Sequence, residues 1–198
     1  KEESLEANTF IGFKKEIFSA KISSSYFHIS NYIVGKKLSG LIPMTIGANG
    51  VKMYSALDYA TIFNVDFTTE IKILENLKWN AQLGYNRGKD FNGENLPFMS
   101  PFSYKTSLSW DKNKFSSEIS VIGNSKYRNF AEIYGETETP AYTILNASLG
   151  YKFIFDNHKI LTKIGVENAF NRFYTTYSDW NKIPRPGRNF FVNINYSF

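Results

Sequence analysis

RNFFVNINYSF, residues 188 to 198, sets Phe190, Val192, Ile194, Tyr196 and Phe198 against Asn189, Phe191, Asn193, Asn195 and Ser197. Side chains of a strand point alternately to its two faces, so the apolar set meets one environment and the mostly amide and hydroxyl set another. A strand with one apolar face, one polar face and an aromatic residue at its end is what the closing strand of a membrane β-barrel requires, with lipid outside and a wet lumen inside. The same alternation also suits a sheet laid on a protein core, with its amide face in solvent. The pattern of this one strand leaves both open.

Composition narrows the choice. The 198 residues are 42% hydrophobic, 17% aromatic and 21% charged, with 13 Tyr and 18 Phe, and the mean hydropathy is -0.32. Helical membrane proteins need runs of about 18 or more apolar residues, and none occurs here. The abundance of aromatic residues favours strands, so the expected class is all-β. Without Cys there is neither a disulfide framework nor a thiolate nucleophile. The net charge of +5 is spread among acids and never forms a dense basic block, so nucleic acid is not an expected partner. The opening segment KEESLEANTF lacks a basic start followed by an apolar core, which an exported precursor carries. The expectation is a processed chain or a piece of a longer one.

Nine strands are expected. Ala7 to Lys14 and Ile17 to Ile33 are separated only by Lys15 and Glu16. A connection with Gly35, Gly40, Pro43, Gly47 and Gly50 leads to a strand from about Met53 to Ile73. Leu77, Trp79, Ala81, Leu83 and Tyr85 then alternate with Lys78, Asn80, Gln82, Gly84 and Asn86. Further strands are read from Tyr104 to Trp110, Phe115 to Gly123, Thr143 to Phe153, Ile160 to Glu167 and in the final stretch.

The connections alternate between short and long, as in a barrel with tight periplasmic turns and long extracellular loops. Aromatic residues gather near the short turns, at Phe18, Trp79, Trp110, Phe115, Tyr151, Phe153, Tyr196 and Phe198, and near the long loops, at Tyr32, Tyr59, Tyr85, Tyr104 and Tyr142. Two such bands match interfacial girdles. On this reading Phe63, Phe67, Trp79, Leu83, Leu108, Trp110, Leu145, Leu149, Ile164, Val192 and Ile194 face lipid. Asp66, Glu70, Lys72, Lys78, Lys105 and Glu167 face a hydrated lumen, where their charge stays solvated. Single-chain bacterial barrels have even strand numbers, so an odd set of nine is read as the C-terminal part of a larger barrel.

The residues also carry a family resemblance. GVENAFNRFYTTYSDWNKIPRPGRNFFVNINYSF, Gly165 to Phe198, resembles the end of TonB-dependent outer-membrane receptors. GVKMYSALDYATIFNVDFTTEIKILENLKWNAQLGYNRGKD and ETETPAYTILNASLGYKF are similar to earlier strands of that barrel, although Asn64 stands where the family commonly has Gly. The resemblance implies a receptor of about 22 strands around a plug, residues 1 to 198 being a partial barrel without the plug and the earlier strands. It implies uptake of a scarce nutrient, such as a ferric siderophore or other metal chelate, driven by the TonB complex through the N-terminal part. The terminal strand, with Phe190, Val192, Ile194, Tyr196 and Phe198, resembles the signal read by the barrel-insertion machinery.

No catalytic constellation, cofactor motif or metal cluster is visible. His28 and His158 are the only histidines, and Met44, Met53 and Met99 the only soft sulfur donors. Arg128 and Arg185 with Tyr127, Tyr174, Tyr177 and Trp180 are candidates for binding an anionic, aromatic chelate by stacking and paired hydrogen bonds. Arg172 and Arg188 belong to the same loop chemistry. Two other classes are the alternatives: a complete small outer-membrane barrel, as a lipid-acting enzyme or adhesin, and a soluble β-sandwich binding module.

Overall fold

The computed structural model describes residues 1–44, 50–179 and 182–198, so Gly47 and Trp180 lie outside the described residues. Nine strands form one antiparallel sheet in sequence order: β1 (Glu3–Lys14), β2 (Phe18–Ser30), β5 (Tyr59–Leu74), β6 (Leu77–Asp90), β7 (Ser103–Lys112), β8 (Phe115–Asn124), β9 (Tyr142–Phe155), β10 (His158–Glu167) and β11 (Asn189–Ser197). A separate hairpin, β3 (Ile33–Leu38) with β4 (Val51–Ala56), sits in the connection between β2 and β5. Among the described residues the only helical element is the 3-10 turn Glu132–Tyr134.

The hairpin corrects the expected strand from Met53 to Ile73. Met53 belongs to β4, paired with Lys36, and the sheet strand begins at Tyr59. Likewise β2 ends at Ser30, and Ile33 opens the hairpin. Asn31 takes φ 54 between them, a left-handed conformation that Asn tolerates better than most residues. An apolar-polar alternation carried across this change of direction reads as one strand.

Register assigns every side chain to a face, because directly paired residues project to the same side. Starting from Ile11, the pairs run through Ile22, Phe67, Leu83, Tyr104 and Gly123. Starting from Val192, they run through Ile164, Leu149 and Ser117. All eleven residues expected to face lipid fall on this side, here called the outer face. Its large apolar side chains stand open: Ile164 is 51% exposed, Leu149 61% and Val192 67%. The opposite face presents Asp66, Glu70, Asn80, Gln82, Lys105, Glu118, Asn146, Asn193 and Asn195.

On β5 the apolar stretch of the outer face runs from Phe63 to Ile73, roughly 33 Å along the strand. With a barrel-like tilt this becomes a band roughly 25 Å tall, the height of the apolar belt of an outer-membrane barrel. At the short-turn end Phe115, Tyr151 and Phe153 form a ladder with ring centroids 4.8 and 4.6 Å apart, and Tyr196 lies 5.8 Å from Phe198. At the other end Tyr59, Tyr85 and Tyr104 are on the outer face, whereas Tyr32 packs against the loop core and Tyr142 pairs with Asn124 on the polar face. Side-chain parity separates Tyr142 from the girdle, and a position between β2 and β3 separates Tyr32.

Among the described residues no second sheet covers the apolar face, whose large side chains stand exposed, which overturns the sandwich alternative, since a sandwich needs two apolar faces in contact. The outermost strands β1 and β11 are not hydrogen-bonded to each other, so the sheet is an open portion of a barrel wall and not a complete small barrel.

Candidate functional site: the loop cluster over the polar face

At the long-loop end, the connections following β2, β6 and β8 fold together over the polar face. Val34, Leu57, Ala60, Leu96, Ala131 and Tyr134 form a buried cluster, with Tyr32, Ile62, Phe91 and Met99 packed against it. Leu96, Ala60 and Tyr134 are fully buried. This is the one place where the described chain builds a conventional core, and it is built mainly from loop residues.

Two buried carboxylates fasten it. Glu136 Oε1 accepts the Phe98 backbone N–H at 2.7 Å, and Oε2 accepts the Tyr127 hydroxyl and the Ala131 N–H, both at 2.9 Å. Asp90 Oδ1 accepts the N–H groups of Asn92 and Glu94 at 2.9 Å, while Oδ2 accepts the Tyr134 hydroxyl at 2.6 Å. Each acid thus links the loop after β6 to the loop after β8. Burial first, then the charge and hydrogen bond of Glu136, holds the Tyr127 hydroxyl well above the usual tyrosine range. Burial and the bond to Asp90 do the same to Tyr134.

The last loop joins through Lys182, whose ammonium donates to Thr139 Oγ1 at 2.5 Å and to the Thr137 carbonyl at 3.3 Å. Burial draws this ammonium below the usual lysine range, opposed by the attraction of Glu136 and Asp179. Two asparagines shape the rest of the loop. Asn168 is buried; its Oδ1 accepts the Arg172 N–H at 2.8 Å and its Nδ2 donates to the carbonyls of Arg172 and Pro186. Asn171 Oδ1 accepts the Arg188 N–H at 2.8 Å and lies where a Cβ on Gly187 would stand. Glycine at 187 therefore permits a close approach.

Of the residues singled out by sequence, Tyr174, Tyr177 and Arg185 come together with Tyr127. Tyr174 packs on Tyr142 with centroids 4.4 Å apart, and Tyr177 meets Tyr127 edge-on at 5.8 Å. The Arg185 backbone N–H donates to the Tyr174 carbonyl at 2.9 Å, and its guanidinium donates to Thr176 Oγ1 at 2.9 Å. Tyr127 is buried with its hydroxyl committed to Glu136, so it supports the cluster from beneath. Arg128 is exposed and lines a cavity with Tyr127, Tyr85 and Phe102. Trp180 lies outside the described residues. Met44 and Met53 are exposed, and the Met99 sulfur lies over Gly88 in the loop core. Sequence reading missed Asp90, Glu136 and Asn168; the Asp-Phe-Asn-Gly run from Asp90 was a legible Asx-turn signature.

The arrangement offers a half-buried aromatic and guanidinium surface above a polar wall. Such a surface binds by stacking and charge-assisted hydrogen bonds.

Comparison with known proteins agrees with this architecture. The family model described as TonB dependent receptor-like, beta-barrel matches residues 6–171. A copper transporter, OprC, superposes with a TM-score of 0.86 at 17% identity, covering 100% of this chain and 31% of that one. A mutant of the ferric enterobactin receptor PfeA from Pseudomonas aeruginosa gives 0.73 at 16%, covering 99% and 31%. The siderophore receptor PirA from Acinetobacter baumannii gives 0.72 at 19%, covering 100% and 32%. This chain therefore spans less than a third of each of these solved structures. A search of curated proteins found no match. With the family model covering most of its length, this chain belongs to the β-barrel family of the TonB-dependent receptors.

Proposed function

We propose that the chain forms about nine of the roughly 22 strands of an outer-membrane receptor that takes up a scarce metal chelate, a ferric siderophore foremost, coupled to the TonB complex. The observation that carries this reading is the combination of an apolar outer face, a charged and amide inner face, and long loops gathered over the inner side. Lipid, a hydrated translocation space and a ligand-facing rim are the three environments such a wall must meet. The similar proteins named as copper, ferric enterobactin and siderophore receptors support import of metal species as the class. On this proposal the plug and earlier strands belong to the part of the receptor that precedes this chain, and the contact with TonB is made there. The terminal strand, from Phe190 to Phe198, serves the insertion machinery.

Tyr174, Tyr177 and Arg185 are the ligand-facing residues of this reading, since they combine rings and a guanidinium on the loop that crosses the inner side. Disrupting the receptor that carries this chain should abolish uptake of at least one labelled ferric chelate, and removing residues 171 to 185 should weaken its binding while the barrel stays heat-modifiable on gels. Unchanged uptake of ferric siderophores, haem and cobalamin in the disrupted strain would overturn the proposal.

A further inference from the structure

Among the described residues, three buried side-chain oxygens have no hydrogen-bond partner, and two of them are neighbours: Asn64 Oδ1 and Asn86 Oδ1, on directly paired residues of β5 and β6. A buried acceptor without a donor is costly, and native proteins relieve it with a protein donor, an ordered water or an ion. Both asparagines face the polar side of the sheet. One step nearer the short turns on that face, about 7 Å along the strands, Asp66 pairs with Gly84.

Gly84 leaves room for oxygens. It also pairs with Ser103, the last rung between β6 and β7, and a Cβ at residue 84 would lie 2.7 Å from Ser103 Oγ and 3.4 Å from Asp66 Oδ1. The hydroxyl and the carboxylate thus lean over the glycine from the strands on either side. Among the described residues neither side chain makes a hydrogen bond or an ion pair. The acids of the loop cluster, by contrast, are each capped by three donors.

The neighbouring cations leave Asp66 alone. Lys105 and Lys21 stand one row nearer the short turns; Lys105 forms no ion pair with Asp66, and the Lys21 ammonium lies 4.7 Å from the Phe10 ring centroid. Arg87 belongs to the opposite face. One carboxylate, one hydroxyl and two amide carbonyls in adjacent rows are a hard, all-oxygen donor set. Calcium takes such mixed oxygens with water at about 2.3–2.6 Å in flexible geometry, whereas magnesium demands a near-ideal octahedron and copper or zinc favours nitrogen and sulfur.

We propose that Asn64, Asp66, Asn86 and Ser103 hold a calcium ion on the polar face, its shell completed by water, at the rung where the pairing of β6 with β7 ends. The ion ties the start of β7 to β5 across β6. With a single carboxylate its affinity belongs with weak extracellular sites, a Kd of about 0.1–1 mM. The site is built from this chain alone and is independent of which ligand the receptor imports.

The test uses the receptor that carries this chain, stripped with a chelator in detergent and titrated with calcium or magnesium while hydrogen exchange is read at residues 84–88 and 101–104. Millimolar calcium should slow exchange there by about tenfold, and magnesium should need a concentration about tenfold higher or more for the same effect. Asp66→Asn, which keeps the side chain's size and removes its charge, should raise the calcium midpoint by about tenfold or more. Gly84→Ala, which puts a Cβ where the oxygens converge, should abolish the response, and Asp111→Asn, nearer the short turns on the same face, should leave the midpoint where it was. Retained heat-modifiability shows that each variant is folded. An unshifted midpoint in Asp66→Asn, an equal response to magnesium, or no calcium-dependent protection in the unaltered receptor would overturn the site and leave the two orphaned carbonyls to buried water.

Discussion

The wall and the loop cluster obey opposite rules with the same residue types. On the wall Ile164 and Val192 are 51% and 67% exposed, whereas in the loop cluster Leu96 is 0% exposed. In the wall, Asp66, Glu70 and Lys105 stand on the face opposite to Phe67, Leu83 and Leu108. In the cluster, Asp90 and Glu136 lie inside, each saturated by three donors. The difference teaches that the wall is solvent-specific and the cluster self-contained. On the proposed function, lipid supplies the burial that the wall's outer side chains lack, while the cluster supplies its own and can hold a fixed shape over the polar face.

Deleting a cluster acid should have the largest effect. Glu136→Leu leaves the Tyr127 hydroxyl and the N–H groups of Phe98 and Ala131 without their acceptor, a cost of about 3 kcal/mol or more. Hydrogen exchange on the receptor should show residues 91–102 and 125–141 opening while β9 and β10 stay protected. Loss of protection across both regions together would merge the two units into one. Next in size, Ile164→Lys should cost about 2–4 kcal/mol in a membrane and lower the amount of heat-modifiable receptor, whereas Ser148→Lys on the polar face of the neighbouring strand, opposite Glu118, should change little. Equal effects of the two would deny the wall its lipid side.

The wall was legible in sequence because a period-two pattern survives any register that keeps one face in lipid. The alternation at Leu77 to Tyr85 and at Phe190 to Phe198 fixed those strands and their faces directly. The cluster was much less legible. Its elements are joined by hydrogen bonds between residues far apart in sequence, such as Tyr134 with Asp90 and Lys182 with Thr139, and no periodicity announces such pairs. The break at residues 57–58 shows the same limit, because Leu57 turns into the core without interrupting the apolar rhythm. Of the ligand candidates, proximity of Tyr174, Tyr177 and Arg185 came from one loop and was readable, while the commitment of Tyr127 to Glu136 needed three-dimensional contact.

A third substitution probes the cluster's link to the last loop. Asn168→Ala removes the acceptor for the Arg172 N–H and the donor to the carbonyls of Arg172 and Pro186, so it should cost about 2 kcal/mol. Because Arg185 and Tyr174 are carried by that loop, chelate affinity should fall although neither residue is altered. An unchanged affinity with unchanged loop protection would detach the Gly-Val-Glu-Asn motif from the site.

The smallest effect, and the sharpest discrimination between the regions, comes from alkali. The Tyr134 hydroxyl titrates above its usual value of 10.0 in the folded cluster, mainly through burial and then through the bond to Asp90. A proton held more tightly by the folded than by the unfolded state contributes stability that is complete below the unfolded pKa and is lost as pH rises toward the folded one. The cluster should therefore keep its stability to about pH 10 and weaken above it, and Tyr127, shifted upward in the same sense, adds to the loss. The wall, held by backbone pairing and lipid, has no such dependence on these two hydroxyls. Tyr134→Phe removes one of them, should cost about 1 kcal/mol at neutral pH, and should flatten part of the alkaline decline seen by tyrosinate absorbance and loop exchange. If the loops and the wall instead lost protection together at one pH, in the variant as in the unaltered receptor, the tyrosine clasps would not be what sets the cluster apart.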